Sequence, residues 1–221
     1  MLEVLYESKN AIIANKPVGM PTQADKSADP DFLSELKSEH GELYLVHRLD
    51  RVVSGLLVLA RNKSTCAELS ALAASGALGK EYLAVVEGEC SGGELVDYLY
   101  KNAALSKSFV TDKGRFGAKL ASLTYECIET ADTPRGVRSL VRINLKTGRF
   151  HQIRAQFSTR GHALVGDGKY GSRDSGARTP ALFAYKIDVT AGEHISAAAL
   201  PDINQYPWNL FSEESYKKCL N

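Results

Sequence analysis

The 221 residues carry 27 Lys and Arg against 26 Asp and Glu, a net charge of +1, with 44% hydrophobic and 24% charged side chains. That profile supports a substantial core and excludes disordered and fibrous classes. The opening "MLEVLYESKN" lacks the charged and apolar regions of a leader, and no apolar run, "GLLVLA" being typical of the longest, approaches a membrane span. The four cysteines (Cys66, Cys90, Cys127, Cys219) form no CxxC pair and meet no histidine cluster. Free thiols in a reducing, cytoplasmic compartment are expected, not zinc and not a disulfide scaffold.

In chain order, "EVLYE" and "AIIA" read as short strands, followed by a turn-rich loop near 20–30. "DFLSELKSE" places Phe32, Leu33 and Leu36 at helical spacing. "LYLV" and "GLLVLA" read as strands, and "NKSTCAELSALAAS" as a helix capped by Asn62 or Ser64 and stopped by glycine. "KEYLAVVEG" is a β-branched and aromatic strand. Residues near 100–118 and 172–180 read as loops. "SLVRINLK" alternates as a half-buried strand, "RFHQIRAQFSTRG" switches to helical period, "ALFAYKIDV" returns to strand, and "SEESYKKCL" is a short terminal helix. The mixture lacks a strict βαβ rhythm. The fold class expected is α+β, one catalytic domain over residues 1–221 around a mixed, mostly antiparallel, bent sheet flanked by helices.

Charge is unevenly placed. Between Arg135 and Arg173 there are nine Lys or Arg residues against one acid, Asp167. Such a block fits either a solvated face or a polyanion partner. The stretch "LYLVHRLDRVVSGLLVLARN" raises a sharper question, because two apolar arms flank His47, Arg48, Asp50 and Arg51. The bland reading is an ion pair closing a turn. The functional one is a positioned carboxylate, kept ionised by a guanidinium such as Arg154 in "LKTGRFHQIR". Tyr82 in "KEYLAV" offers an aromatic face suited to stacking on a base, or simply to a core edge.

Other motifs fail on context. "HRLD" lacks the remaining kinase signatures. "GDGKYG" matches G-x-G-x-x-G but is followed by turn residues ending in proline, so it reads as a glycine turn and not a dinucleotide site. The histidines never take HxxxH or HExxH spacing, and no G-x-S-x-G is present. No metal site is expected.

Five segments occur in an order that resembles the RluA-type pseudouridine synthases: "NKPVG", "HRLDRVVSGLLVLARN", "GKEYLAVVEG", "LKTGRFHQIR" and "GDGKYG". The resemblance spans about residues 11–190. It implies an RNA pseudouridine synthase with a central basic cleft, in which an essential Asp50 isomerises a uridine of rRNA or tRNA without cofactor or metal. By the same resemblance Arg154 pairs with Asp50 and Tyr82 packs on the target uracil. RNA contacts would come from His47, Arg48, Arg51, Lys146, Arg149, His151, Gln152 and Lys169. Val53 stands where the family has threonine, which removes a hydroxyl while preserving shape. The family's frequent S4-like domain is expected to be absent, and a monomer without protein or membrane partners is expected. A non-catalytic RNA-binding module and a small-molecule nucleoside enzyme are the competing classes. The first would leave Asp50, Tyr82 and Arg154 without purpose, and the second would leave the basic block without one.

Overall fold

A computed structural model describes residues 1–220 of the chain. In order, the elements are β1 (Val4–Glu7), β2 (Ala11–Lys16), α1 (Phe32–His40), β3 (Tyr44–Leu45), β4 (Ser54–Ala60), α2 (Lys63–Ser75), β5 (Gly79–Glu87), β6 (Gly93–Asn102), β7 (Lys107–Thr111), β8 (Lys119–Ala131), β9 (Arg138–Leu145), α3 (Gln152–Thr159), β10 (Leu182–Ala191), β11 (Glu193–Ala198) and α4 (Glu213–Leu220). The backbone divides into two compact units, one of residues 1–81 with 183–201, the other of residues 82–182 with the segment from 202 onward. The class is α+β, with mixed, mostly antiparallel strand pairing.

In the first unit β4 is central. It is antiparallel to β2 from Ala11↔Ala60 to Lys16↔Gly55. On its other edge it pairs β10 in parallel through Ser54 and Gly55, and β3 antiparallel at its far end. Gly55 is dictated by that parallel join. Its φ is +117°, and a Cβ there would lie 2.5 Å from the Ala184 nitrogen. Ile13, Leu56, Val58, Ile187, Val189 and Ile195 form the core with Leu69 of α2. Caps set both helices: Asp31 accepts from the Ser34 N–H at 3.0 Å, and Asn62 from Thr65 at 2.8 Å. Gly76 ends α2 in the left-handed region. The strand expected over 43–46 contracts to two residues.

The second unit carries the antiparallel order β9-β8-β6-β7, with β5 beside β9. Here the loop expected near 100–118 is corrected. Residues 93–102 and 107–111 form a hairpin, and β8 begins at 119. The alternation is visible in burial, because Leu95 and Leu99 are buried on one face while Val96 is exposed on the other. The segment 172–180 is irregular, as read from its composition. Helix α3 is shorter than its periodicity suggests, since His151 precedes it in a left-handed conformation at φ +53°. Among the described residues, no helix is long and apolar enough to cross a membrane, and the four cysteines are free.

Candidate active site and RNA-facing residues

Asp50 sits in the turn between β3 and β4, in the first unit. Its carbonyl accepts the Val53 backbone N–H at 3.0 Å, a bond that does not depend on the side chain at 53. The preceding Leu49 is clamped from both sides by Thr22, whose hydroxyl donates to the Leu49 carbonyl at 2.8 Å and accepts its N–H at 3.3 Å. Beneath the turn lies Lys16, fully buried, whose ammonium donates to the carbonyls of Pro17 (2.9 Å), Met20 (2.8 Å) and Arg51 (3.5 Å). Burial pulls its pKa down to about 8, partly offset by the Asp50 charge. The "NKPVG" segment is thereby fastened to the aspartate's turn by one cation and three carbonyls.

Two neighbours assigned to RNA contact have other duties. Arg51 donates to the Gly19 carbonyl at 2.8 Å and the Ser27 hydroxyl at 3.0 Å, and pairs with Asp29. It buckles the 19–29 loop onto the turn. The His47 ring accepts the Val58 N–H at Nε2 (3.4 Å). Desolvation and the Lys80 charge lower its pKa to about 3, so the imidazole is neutral and structural. Arg48 is exposed.

In the second unit Tyr82 is 6% exposed on β5. Arg154 points inward from α3 and is held bidentately by Asp167, Nε to Oδ2 at 2.6 Å and Nη2 to Oδ1 at 2.9 Å. Its guanidinium also lies 5.0 Å from the Tyr170 ring. Sequence reading missed both partners, although "GDGKYG" supplied the signal. Gly166 (φ +81°) makes room against Ala177, whose Cβ would lie 2.8 Å from an added one, and so brings Asp167 under α3. The Tyr170 hydroxyl accepts the Ser108 N–H at 2.8 Å and meets His151 Nδ1 at 3.0 Å. His151 stacks on Phe150, centroids 3.8 Å apart. Burial, then the charges of Arg154, Lys169 and Lys101, push its pKa down to about 3, so it is neutral.

Gln152 was read as an RNA contact and is 3% exposed. Its Oε1 accepts from the Thr147 hydroxyl (2.8 Å) and the Arg149 N–H (3.0 Å), while Nε2 donates to the Ser122 carbonyl (3.1 Å). It pins the "KTG" turn to β8. Lys146, Arg149 and Lys169 are exposed. Arg149 Nε donates to the Leu120 carbonyl and Lys169 to that of Ser106.

The basic block is therefore mostly internal bookkeeping of charge. Arg135 and Arg138 pair with Asp174, Arg142 with Glu126, Arg154 with Asp167, and Arg160 with Asp97. Asp97, Glu126 and Asp174 from outside the block, with Asp167 inside it, pair five of its nine cations, which a count along the sequence does not reveal. Six members are exposed: Arg135 and Arg160, which carry carboxylate partners, and Lys146, Arg149, Lys169 and Arg173.

Residues 10–159 match the family described as RNA pseudouridylate synthase, a span that contains "HRLD", "KEYLAV" and "HQIR". The chain is 32% identical over 183 residues to ribosomal large subunit pseudouridine synthase D of Zymomonas mobilis, covering 77% of this chain and 56% of that protein. It is 30% identical to ribosomal large subunit pseudouridine synthase C of Rickettsia felis (87% and 63% covered) and 28% identical to tRNA pseudouridine synthase C of Vibrio cholerae (77% and 75%). It thus spans less than two thirds of the length of the first two. The solved structure of human RNA Pseudouridylate Synthase Domain Containing 1 has the same fold, with a TM-score of 0.80 at 22% identity over 100% of this chain and 94% of that one. The family match covers most of the chain, and on that ground the chain belongs to the RNA pseudouridylate synthase family.

Proposed function

We propose that this chain is an RNA pseudouridine synthase that converts a uridine of structured rRNA or tRNA to pseudouridine, with Asp50 as its essential residue. The observation that carries the reading is the family match over 10–159, together with relatives named as rRNA and tRNA synthases. The N1–C1′ bond of the uridine breaks, the uracil turns, and a C5–C1′ bond forms. N1 gains a proton and C5 loses one, so the product is an isomer and no oxidant or metal is consumed. Asp50 serves as nucleophile at C1′ or as acceptor of a ribose proton. Arg154, oriented by Asp167, is its charge partner in this reading, and Tyr82 packs on the uracil.

The target uridine must leave its stack, at a cost of a few kcal/mol. Phosphate contacts by Arg48, Lys146, Arg149 and Lys169 offset that cost, so binding weakens steeply with salt. A reducing, cytoplasmic location fits the free cysteines. The test is release of tritium from unmodified RNA labelled at uridine C5. Wild type should release it and Asp50→Asn should not. Release by neither, or by both alike, contradicts the proposal.

A further inference from the structure

The three-stranded sheet β8-β6-β7 has one face turned to the core of its unit and one turned away. Registers Tyr98↔Thr111, Tyr100↔Phe109, Val96↔Ser122 and Tyr98↔Leu120 place Val96, Tyr98, Tyr100, Phe109 and Leu120 together on the outward face. Val96 is 52% exposed, Phe109 39% and Leu120 45%. At its margin the loop after β7 raises Phe116, 98% exposed. Natural strands rarely leave so many large apolar groups uncovered on one patch.

Cations sit on these rings. The Arg115 guanidinium lies 3.8 Å from the Tyr100 centroid, and the Lys107 ammonium 5.5 Å from that of Phe109. Residues 101–119 hold five cations (Lys101, Lys107, Lys113, Arg115, Lys119) and one acid, Asp112. Glu94, at the far end of β6, is an acid on the same face. Unlike Arg135, Arg138, Arg142, Arg154 and Arg160, the cations Lys107, Lys113, Arg115 and Lys119 have no carboxylate partner among the described residues.

We propose that this face binds an unpaired segment of the substrate RNA, bases on the rings and phosphates on the cations, as a platform additional to the catalytic residues. The inference rests on reading the chain as an enzyme that acts on RNA. Exposed rings stack on bases that have no neighbour, which a duplex does not offer. Phe109 and Phe116 are the open rings of the face, while Tyr98 and Tyr100 are half-buried beside them and Arg115 covers Tyr100. A second copy is disfavoured because two such faces would bring Lys107, Lys113 and Arg115 against themselves. RNA meets both the rings and the charge.

The test uses the full chain and a fluorescein-labelled oligouridine of about 20 nucleotides. Phe109→Ala/Phe116→Ala should weaken its binding roughly tenfold or more. Lys113→Ala/Arg115→Ala should flatten the salt dependence by about one to two units of slope. With C5-tritiated RNA, the aromatic pair should raise KM and leave kcat unchanged. Unchanged oligouridine affinity in both variants overturns the platform, even where wild type releases tritium. Loss of affinity without tritium release by wild type retains the platform and rejects the synthase reading. A wild-type dimer that the aromatic variant dissociates, with oligouridine affinity intact, reassigns the face to self-association and also overturns it.

Discussion

Asp174 tests how the basic segment is held together. Its side chain is fully buried and accepts four bonds. Oδ1 takes Arg135 Nη1 at 3.0 Å and the Gly176 N–H at 2.8 Å, while Oδ2 takes Arg138 Nη2 at 2.9 Å and the Tyr206 hydroxyl at 2.5 Å. Asn at this position offers one acceptor oxygen and turns an NH₂ toward the other pair of donors. Whichever way it sits, two donors lose their acceptor, and Arg138, itself only 5% exposed at the side chain, loses its counter-charge. Breaking a buried pair on one side costs about 3–5 kcal/mol, and Asn, which keeps some bonds, should cost about 3. Desolvation, the largest single cause, raises the carboxyl pKa, but the hydrogen bonds from Tyr206, Arg138 and the Gly176 N–H together with the Arg138 charge lower it from 3.8 to about 2. A lowered carboxylate pKa stabilises the fold above the unfolded value and loses that contribution as pH falls through the folded value. About 2 kcal/mol is at stake in full, and about 1 kcal/mol of it is gone by pH 3. Trp208, the chain's single tryptophan, lies in the same unit and reports its unfolding in urea. Asp174→Asn should be about 3 kcal/mol less stable than wild type at pH 6, and the gap should narrow by about 1 kcal/mol at pH 3. A gap below about 0.5 kcal/mol at pH 6, or one that widens in acid, would refute the reasoning.

Asp167→Asn removes one of the two bonds that aim Arg154, worth about 1.5–3 kcal/mol for a charge-assisted pair. Tritium-release kcat should fall roughly 10- to 100-fold with KM nearly unchanged, whereas a purely structural role would appear only in a urea melt. Gly55→Ala drives a methyl into the Ala184 backbone at a positive φ and should cost more than about 3 kcal/mol, seen as loss of the folded fraction by circular dichroism. Thr22→Val leaves the Leu49 carbonyl without its 2.8 Å donor and should lower stability by about 1–2 kcal/mol, measured by thermal melting.

Local patterns carried much of the fold. Asn62 and Asp31 cap their helices as capping chemistry dictates, and β4, β9 and β10 follow their apolar runs. The β6–β7 hairpin was missed because its outward face is itself apolar, which hides the alternation of Leu95 and Leu99 behind Val96, Tyr98 and Tyr100. Motif order nominates Asp50, Tyr82 and Arg154 as site residues, and their surroundings depend on pairings distant in sequence. Arg154 meets an acid thirteen residues on, and Arg138 one thirty-six residues on. Gln152 and His47 illustrate the same limit. Polar residues beside a reactive motif look like ligand contacts in one dimension. In three, Gln152 and His47 also make hydrogen bonds within the protein that tie the motif's segments to neighbouring backbone.

The most direct measurement of the central claim is carbodiimide mapping of unmodified rRNA and tRNA transcripts incubated with wild type or Asp50→Asn. The adduct marks pseudouridine as a stop in primer extension. The account predicts reproducible stops at defined uridines with wild type and none with the variant. Transcripts without new stops, or with the same stops from both proteins, would contradict it.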